Sequence, residues 1–290
     1  LPWNHPEMPW VAVFIGGLWV PALFYWGLNQ FITQRTLGAK NLAEGQKGIL
    51  FAASLKLLIP FIVVFPGIMA FELYGDQIAN ADNAYPYFVK QVLPTGFVGV
   101  MFAALFGAVM STLDSLLNSA ATIFTMDIYK PYINKNSSSK NLVRIGRITT
   151  VGLAILGCIW APIVGSFEKG IFMYLQLFWG FIQPGVVAAF LFGILWKRVP
   201  PKAAISGMLL NIPIYGLCLW LMPHVAFLHH MAITFLIISI SMFVITKWSP
   251  LVEPVVIQQK YDIDTKLTNT VRVWSVLILL ATVSLYIIFF

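Results

Sequence analysis

This sequence predicts an all-α integral membrane protein with about eight transmembrane helices, and three observations carry that prediction. Hydrophobic residues occupy 59% of the 290 positions and charged residues 10%, where an ordinary soluble domain is about a quarter charged. The apolar residues collect into long blocks, several close to the roughly 20 residues that a helix needs to cross a bilayer core. None of the blocks shows the short alternation of a barrel strand, so inside hydrocarbon each must satisfy its own backbone hydrogen bonds as a helix.

The first block, Trp10–Phe31, is interrupted. Pro21 and Gly27 bracket Ala22, Leu23, Phe24, Tyr25 and Trp26, and Asn29 and Gln30 follow. Such a pattern marks either an unwound binding segment or a plain kink with interfacial aromatics. The second block, Gly48–Phe71, holds Lys56 too far inside for easy snorkelling, and the third, Gly96–Phe124, holds Asp114. Charges at such depths are costly enough to imply function, the alternative being a snorkelling or paired structural charge. The remaining blocks are Ile148–Val164, Phe172–Trp196, Ala203–Leu221, Met231–Ile245 and Val273–Phe290. Cys158 and Cys218 lie within blocks and read as small buried residues rather than a disulfide or metal site. His224, His229 and His230 fall before the seventh block and read as a solvated loop. A Pro-rich polar lead precedes the first block and Leu1 is not an initiator Met, so the sequence reads as part of a longer chain without a cleavable signal.

If the blocks are helices, the connecting loops alternate sides, and lysine and arginine test the assignment. One set of loops holds Arg35, Lys40 and Lys47, then Lys130, Lys135, Lys140, Arg144 and Arg147, then Lys197, Arg198 and Lys202, and finally Lys247, Lys260, Lys266 and Arg272. The opposite set holds only Lys90 and Lys169. The basic loops are therefore expected to be cytoplasmic, with both ends of the chain facing outward, and the +7 net charge is a topology signal. Aromatic interleaving is missing from these loops, so attraction to the inner leaflet explains them better than nucleic acid does.

The run from Ser111 to Ser119 is polar at the spacing that aligns Ser111, Asp114, Ser115 and Asn118 on one helix face. A polar stripe in lipid must face protein or water. Hydroxyls and backbone carbonyls suit a hard cation without forcing a full negative charge into the site. Serine and threonine also bond back to their own helix, which would account for some of these residues but not for the carboxylate. No phosphate-binding glycine loop or nucleophile elbow stands in the sequence, and no acid/base pair or metal cluster recurs across the blocks, so no enzyme is predicted.

Residues 25–30 (Tyr25 to Gln30), 34–40 and 51–56 resemble the sodium/solute symporter family, and Met110 to Ser115 through Asn118 to Tyr129 resembles its signature segment. Phe172 to Gln176 and Phe192 to Arg198 are similar to the sodium/galactose and sodium/glucose branch. The resemblance implies a leucine-transporter-like inverted-repeat fold, with residues 1–200 as the second five-helix repeat, 201–290 as three accessory helices, and the first repeat outside this sequence. It implies sodium ligands at Ala108 (carbonyl), Ser111 and Thr112 (hydroxyls), completed by the first repeat, and a second ion position at Asp114 and Ser115. There Asp114 would hold a sodium or a proton, or else pair with Lys56 or another basic residue. It further implies that Lys56 and Gln176 contact sugar hydroxyls, that Tyr25 stacks under the sugar as an inner lid supported by Trp26 and Asn29, and that Phe172 forms the outer gate. Galactose-transporting members carry an asparagine three residues before the stacking tyrosine. This chain has Ala22 there, which removes one hydroxyl partner.

The activity so implied is sodium-coupled symport of a sugar-like solute by alternating access in the inner (cytoplasmic) membrane, with no cofactor other than the coupling ion. The expected partners are a sugar-like small molecule, sodium and the lipid bilayer. The rival expectations are a symporter for a sialic-acid-like or other organic solute, and a sensor module on the same scaffold.

Overall fold

The computed structural model describes residues 10–14, 16–165, 171–255 and 268–289. The chain forms two compact units, one from Leu1–Thr33 with Phe172–Ile263 and the other from Gln34–Ile171 with Asp264–Phe290. These units cut across the expected division at residue 200, because packing defines a unit whereas symmetry defines a repeat.

In the first unit, α1 (Trp10–Phe14) and α2 (Trp19–Leu23) are short. α2 widens into a π-helical turn at Phe24–Leu28, which ends where Asn29 turns extended at φ −76° and ψ 120°. The Asn29 amide closes that turn on the Phe24 carbonyl at 2.9 Å. α3 (Gln30–Leu37) then restarts, with the Asn29 carbonyl accepting from both the Thr33 amide (3.0 Å) and the Thr33 hydroxyl (3.1 Å). The interruption foreseen around Pro21 and Gly27 is thus a break with an extended residue, beyond a simple kink.

Further along, α9 (Ile171–Gly180) and α10 (Gln183–Leu195) meet at a 45° bend. α11 (Pro201–Leu221) supplies Asn211, fully buried, whose amide spans the break. Its Oδ1 accepts from the Gly185 amide at 2.8 Å and its Nδ2 donates to the Gly180 carbonyl at 3.0 Å. Two backbone groups freed by the bend are thereby paired, as burial requires. A methyl carbon on Gly180 would lie 2.1 Å from the buried Tyr215 ring, so that contact requires glycine, whereas one on Gly207 would lie 2.8 Å from Met242 Sδ and would need the methionine to shift. α12 (Phe227–Trp248) packs on α10 and α11, burying Leu228, Met231, Ile238 and Met242.

In the second unit, Asn41 caps α4 (Leu42–Lys56), its side chain accepting from the Glu44 amide at 2.9 Å. After Lys56 the helix loosens before Pro60, which has no N–H for the Lys56 carbonyl. A π turn at Pro60–Val64 leads into α5 (Phe65–Tyr74), so Leu42–Gln77 forms one apolar span of 36 residues with Lys56 at its internal break. α6 (Ala84–Val92) precedes α7 (Thr95–Ile123), which continues through a wide turn at Phe124–Ile133. α8 (Ser139–Gly165) packs against α7, and α13 (Asn269–Phe289) against α4.

Among the described residues there is no strand, and six helices are long and apolar enough to cross a membrane, or seven with the bent pair α9 and α10 taken as one. These match the last seven predicted blocks. The first block is divided among α1, α2, the π turn and α3, each too short alone. Two expectations need correction. Cys158 is exposed, because it lies on the outward side of α8, whereas Cys218 is buried as expected. His229 and His230 belong to α12 rather than to a loop, and His230 is buried with Nε2 3.0 Å from the Met222 carbonyl. The helix starts earlier than its apolar run because Phe227 and Leu228 are already packed.

Candidate transport site

The geometry divides the residues singled out from the sequence between the two units. In the first unit, the π turn holds Tyr25 in a cluster of rings. Its centroid lies 5.1 Å from Trp26 and 5.7 Å from Phe31, both edge-on, and 6.2 Å from Trp179 with the planes 34° apart. Trp179 follows Gln176 by three residues and Phe172 by seven, so Phe172, Gln176 and Trp179 share one face of α9. The broken helix and α9 thus bring Tyr25 alongside the face that carries Gln176. Tyr25 and Gln176 are half-buried, Trp26 is 49% exposed and Phe172 63% exposed, so the rings border open space. Trp179 was not foreseen. Its i+3 spacing from Gln176 was the available signal.

In the second unit, Lys56 closes α4 at the mid-span break, exposed. α7 presents Ser111, Thr112, Asp114 and Asn118 on exposed surface, while Ser115 and Ser119, four residues apart, are buried. The stripe expected on one face is therefore split between an open side and a packed side. The Thr112 hydroxyl donates to the Ala108 carbonyl at 3.0 Å, which places two of the expected sodium-ligating oxygens side by side on the helix surface. This back-bond is the ordinary behaviour of a helical threonine, and a cation that prefers oxygen ligands can take its place.

Ser115 behaves differently. Its hydroxyl donates to the Ser111 carbonyl at 2.9 Å and accepts a hydrogen bond from the Arg35 guanidinium. From the sequence, Arg35 reads only as a cytoplasmic topology charge. In the fold it bonds to one of the two residues expected at a second ion position, joined across 80 residues of chain. A cation at the Ser115 oxygen would compete with that guanidinium. Among the described residues no cluster of three or more His, Cys, Asp or Glu could hold a metal ion.

Residues 4–211 match the model of the sodium:solute symporter family. The chain is 47% identical over 236 residues to a sodium/glucose cotransporter of Vibrio parahaemolyticus, covering 76% of this chain and 43% of the relative. It is 38% identical over 280 residues to the uncharacterized symporter YidK of Escherichia coli K12, covering 96% of this chain and 49% of that protein. It is also 40% identical over 227 residues to the human sodium/myo-inositol cotransporter 2, covering 71% of this chain and 33% of the relative. The chain thus spans a third to a half of the length of these relatives. With its family model spanning most of the sequence and its apolar helices arranged as described, the chain belongs to the sodium:solute symporter family.

Proposed function

We propose that the chain forms part of a transporter that couples the entry of a sugar-like solute to sodium across the inner membrane. The observation that carries this reading is the placement of Tyr25 on a broken helix, against the α9 face that bears Gln176. A pyranose or a cyclitol offers a ring of hydroxyls and an apolar face. An aromatic ring beneath it and an amide such as Gln176 at its edge match both features, and the family resemblance adds the ammonium group of Lys56. Glucose and myo-inositol, named for two of the relatives, share that chemistry.

In this reading residues 1–200 act as the second inverted repeat and 201–290 as accessory helices. Ala108, Ser111 and Thr112 give one side of the sodium site, and the other repeat supplies the rest. Sodium binding favours the state in which Tyr25 closes the inner path and Phe172 stands at the outer one. When sodium leaves, the rotamer of Tyr25 is released along with the π turn that carries it, and the solute exits inward. Asp114 takes a second cation or a proton, with Arg35 setting the charge beside it. The substrate undergoes no covalent change.

Uptake of labelled glucose, galactose and myo-inositol into vesicles bearing the full-length transporter, with and without an inward sodium gradient, tests the reading. The expected result is accumulation of at least one of these only with the gradient. Accumulation of a sialic acid or another organic anion alone, or of none of these solutes, would reject the sugar assignment.

A further inference from the structure

The outward side of α8 carries a pattern that transport does not use. Residues 140, 143, 144, 147, 148, 151 and 152 are exposed and repeat at helical spacing, while 141, 142, 145, 146, 149, 150, 153 and 154 are part-buried where α8 packs on α7 and the Phe124–Ile133 segment; from 155 to 163 the helix is exposed all round. At the start of this stripe Lys140, Arg144 and Arg147 stand at i, i+4 and i+7, and they line a groove of about 590 Å³ with Ser138, Asn141 and Val143. Directly below them the stripe becomes apolar: Ile148, Val151, Ile155 and Ile159 are each more than half exposed. α8 contains no acidic residue, and among the described residues no carboxylate pairs with any of the three cations. The groove wall is fixed by Asn141, whose amide donates to Ser137 Oγ at 2.7 Å and to the Tyr129 hydroxyl at 3.3 Å.

We propose that this groove binds one anionic phospholipid, with its phosphate among Lys140, Arg144 and Arg147 and an acyl chain along Ile148, Val151 and Ile155. Charge complementarity selects the headgroup, since three neighbouring cations without a counter-ion among the described residues suit a phosphodiester, and arginine grips phosphate through paired N–H donors. The apolar continuation selects a lipid over a soluble phosphate. A free anion would leave the exposed isoleucines and valine without a matching surface. Orientation by the positive-inside effect needs only the charges, with neither the groove nor their register above an apolar stripe.

The test is native mass spectrometry of the purified full-length transporter titrated with phosphatidylglycerol and, separately, phosphatidylcholine. Wild type is expected to retain one phosphatidylglycerol in preference to phosphatidylcholine, and Arg144→Gln/Arg147→Gln to weaken that retention about thirtyfold, from the usual contribution of two basic residues near anionic headgroups. Arg144→Lys/Arg147→Lys should keep most of the preference, which separates loss of charge from misfolding. Lys135→Gln, cytoplasmic but outside the groove, should keep it entirely. Retention unchanged in the double glutamine variant, or lost equally in Lys135→Gln, would overturn the site. Displacement of the lipid by inorganic phosphate at comparable concentration would overturn the lipid assignment.

Discussion

The helices Phe227–Trp248 and Thr95–Ile123 are both long and apolar, yet they place their polar residues differently. On α12 His230, Thr234 and Thr246 are turned inward. Thr246 is buried and donates to the Met242 carbonyl at 2.7 Å, and His230 is buried against the Met222 carbonyl. Its neighbour α11 contributes Asn211, which ties the break between α9 and α10. On α7 only Ser115, Ser119 and Ala121 are buried, whereas Ser111, Thr112, Asp114 and Asn118 lie open. In this packed core Asn211, His230 and Thr246 each meet backbone groups. On the open face of α7 the Thr112 hydroxyl bonds back to its own helix, and in the proposed reading this face meets an ion or the other repeat.

The sharpest way to break this comparison is at Asn211. Asn211→Ala strands a buried N–H at Gly185 and a buried C=O at Gly180, each costing about 1–3 kcal/mol. The expected outcome is a clear fall in the thermal unfolding midpoint of the purified transporter, with little change in the apparent sodium constant of the protein that remains folded. A midpoint equal to wild type would mean that water or another group satisfies the bend.

Lys56→Ala and Gln176→Ala come next, acting on the substrate rather than on the fold. In the proposed site each would remove a partner from a solute hydroxyl at about 1–3 kcal/mol, so each should raise the apparent substrate constant by roughly five- to 150-fold. Initial-rate uptake measures it, and normal constants in both variants would displace the proposed site.

The contrast between Asn211 and Lys56 also marks what could be read without coordinates. Lys56 was legible because a charge deep in an apolar block is expensive by itself, whereas the break beside it at Pro60 appears only in the structure. The discontinuity of the first block followed from Pro21 and Gly27, whose backbone effects are local. Asn211 was not legible, since a lone amide in an apolar run gains its meaning from a bend 26 residues earlier. Arg35 was hidden for the same reason. Its charge counts toward topology in the sequence, and only the fold brings it to Ser115. The spacing of Ser111, Asp114 and Ser115 gave the right helix, but which side was packed depended on neighbours that spacing does not describe.

A smaller effect is expected at Asp114. Asp114→Asn removes a carboxylate from the exposed side of α7 while keeping its shape, and should lower the coupling ratio by one cation per solute with the substrate constant little changed. The ratio is read from solute accumulation at a known sodium gradient and membrane potential. A wild-type ratio of one sodium per solute, unchanged in the variant and insensitive to pH, would remove Asp114 from ion binding.

The central claim is that the open face of α7 serves the coupling ion, and the sodium dependence of uptake in Thr112→Ala tests it most directly. The substitution deletes a hydroxyl that makes an exposed back-bond to the Ala108 carbonyl, so the fold should lose little. The account predicts an apparent sodium constant raised about tenfold or more, from the loss of one ligand, beside an unfolding midpoint close to wild type. Uptake with an unchanged sodium dependence would contradict it.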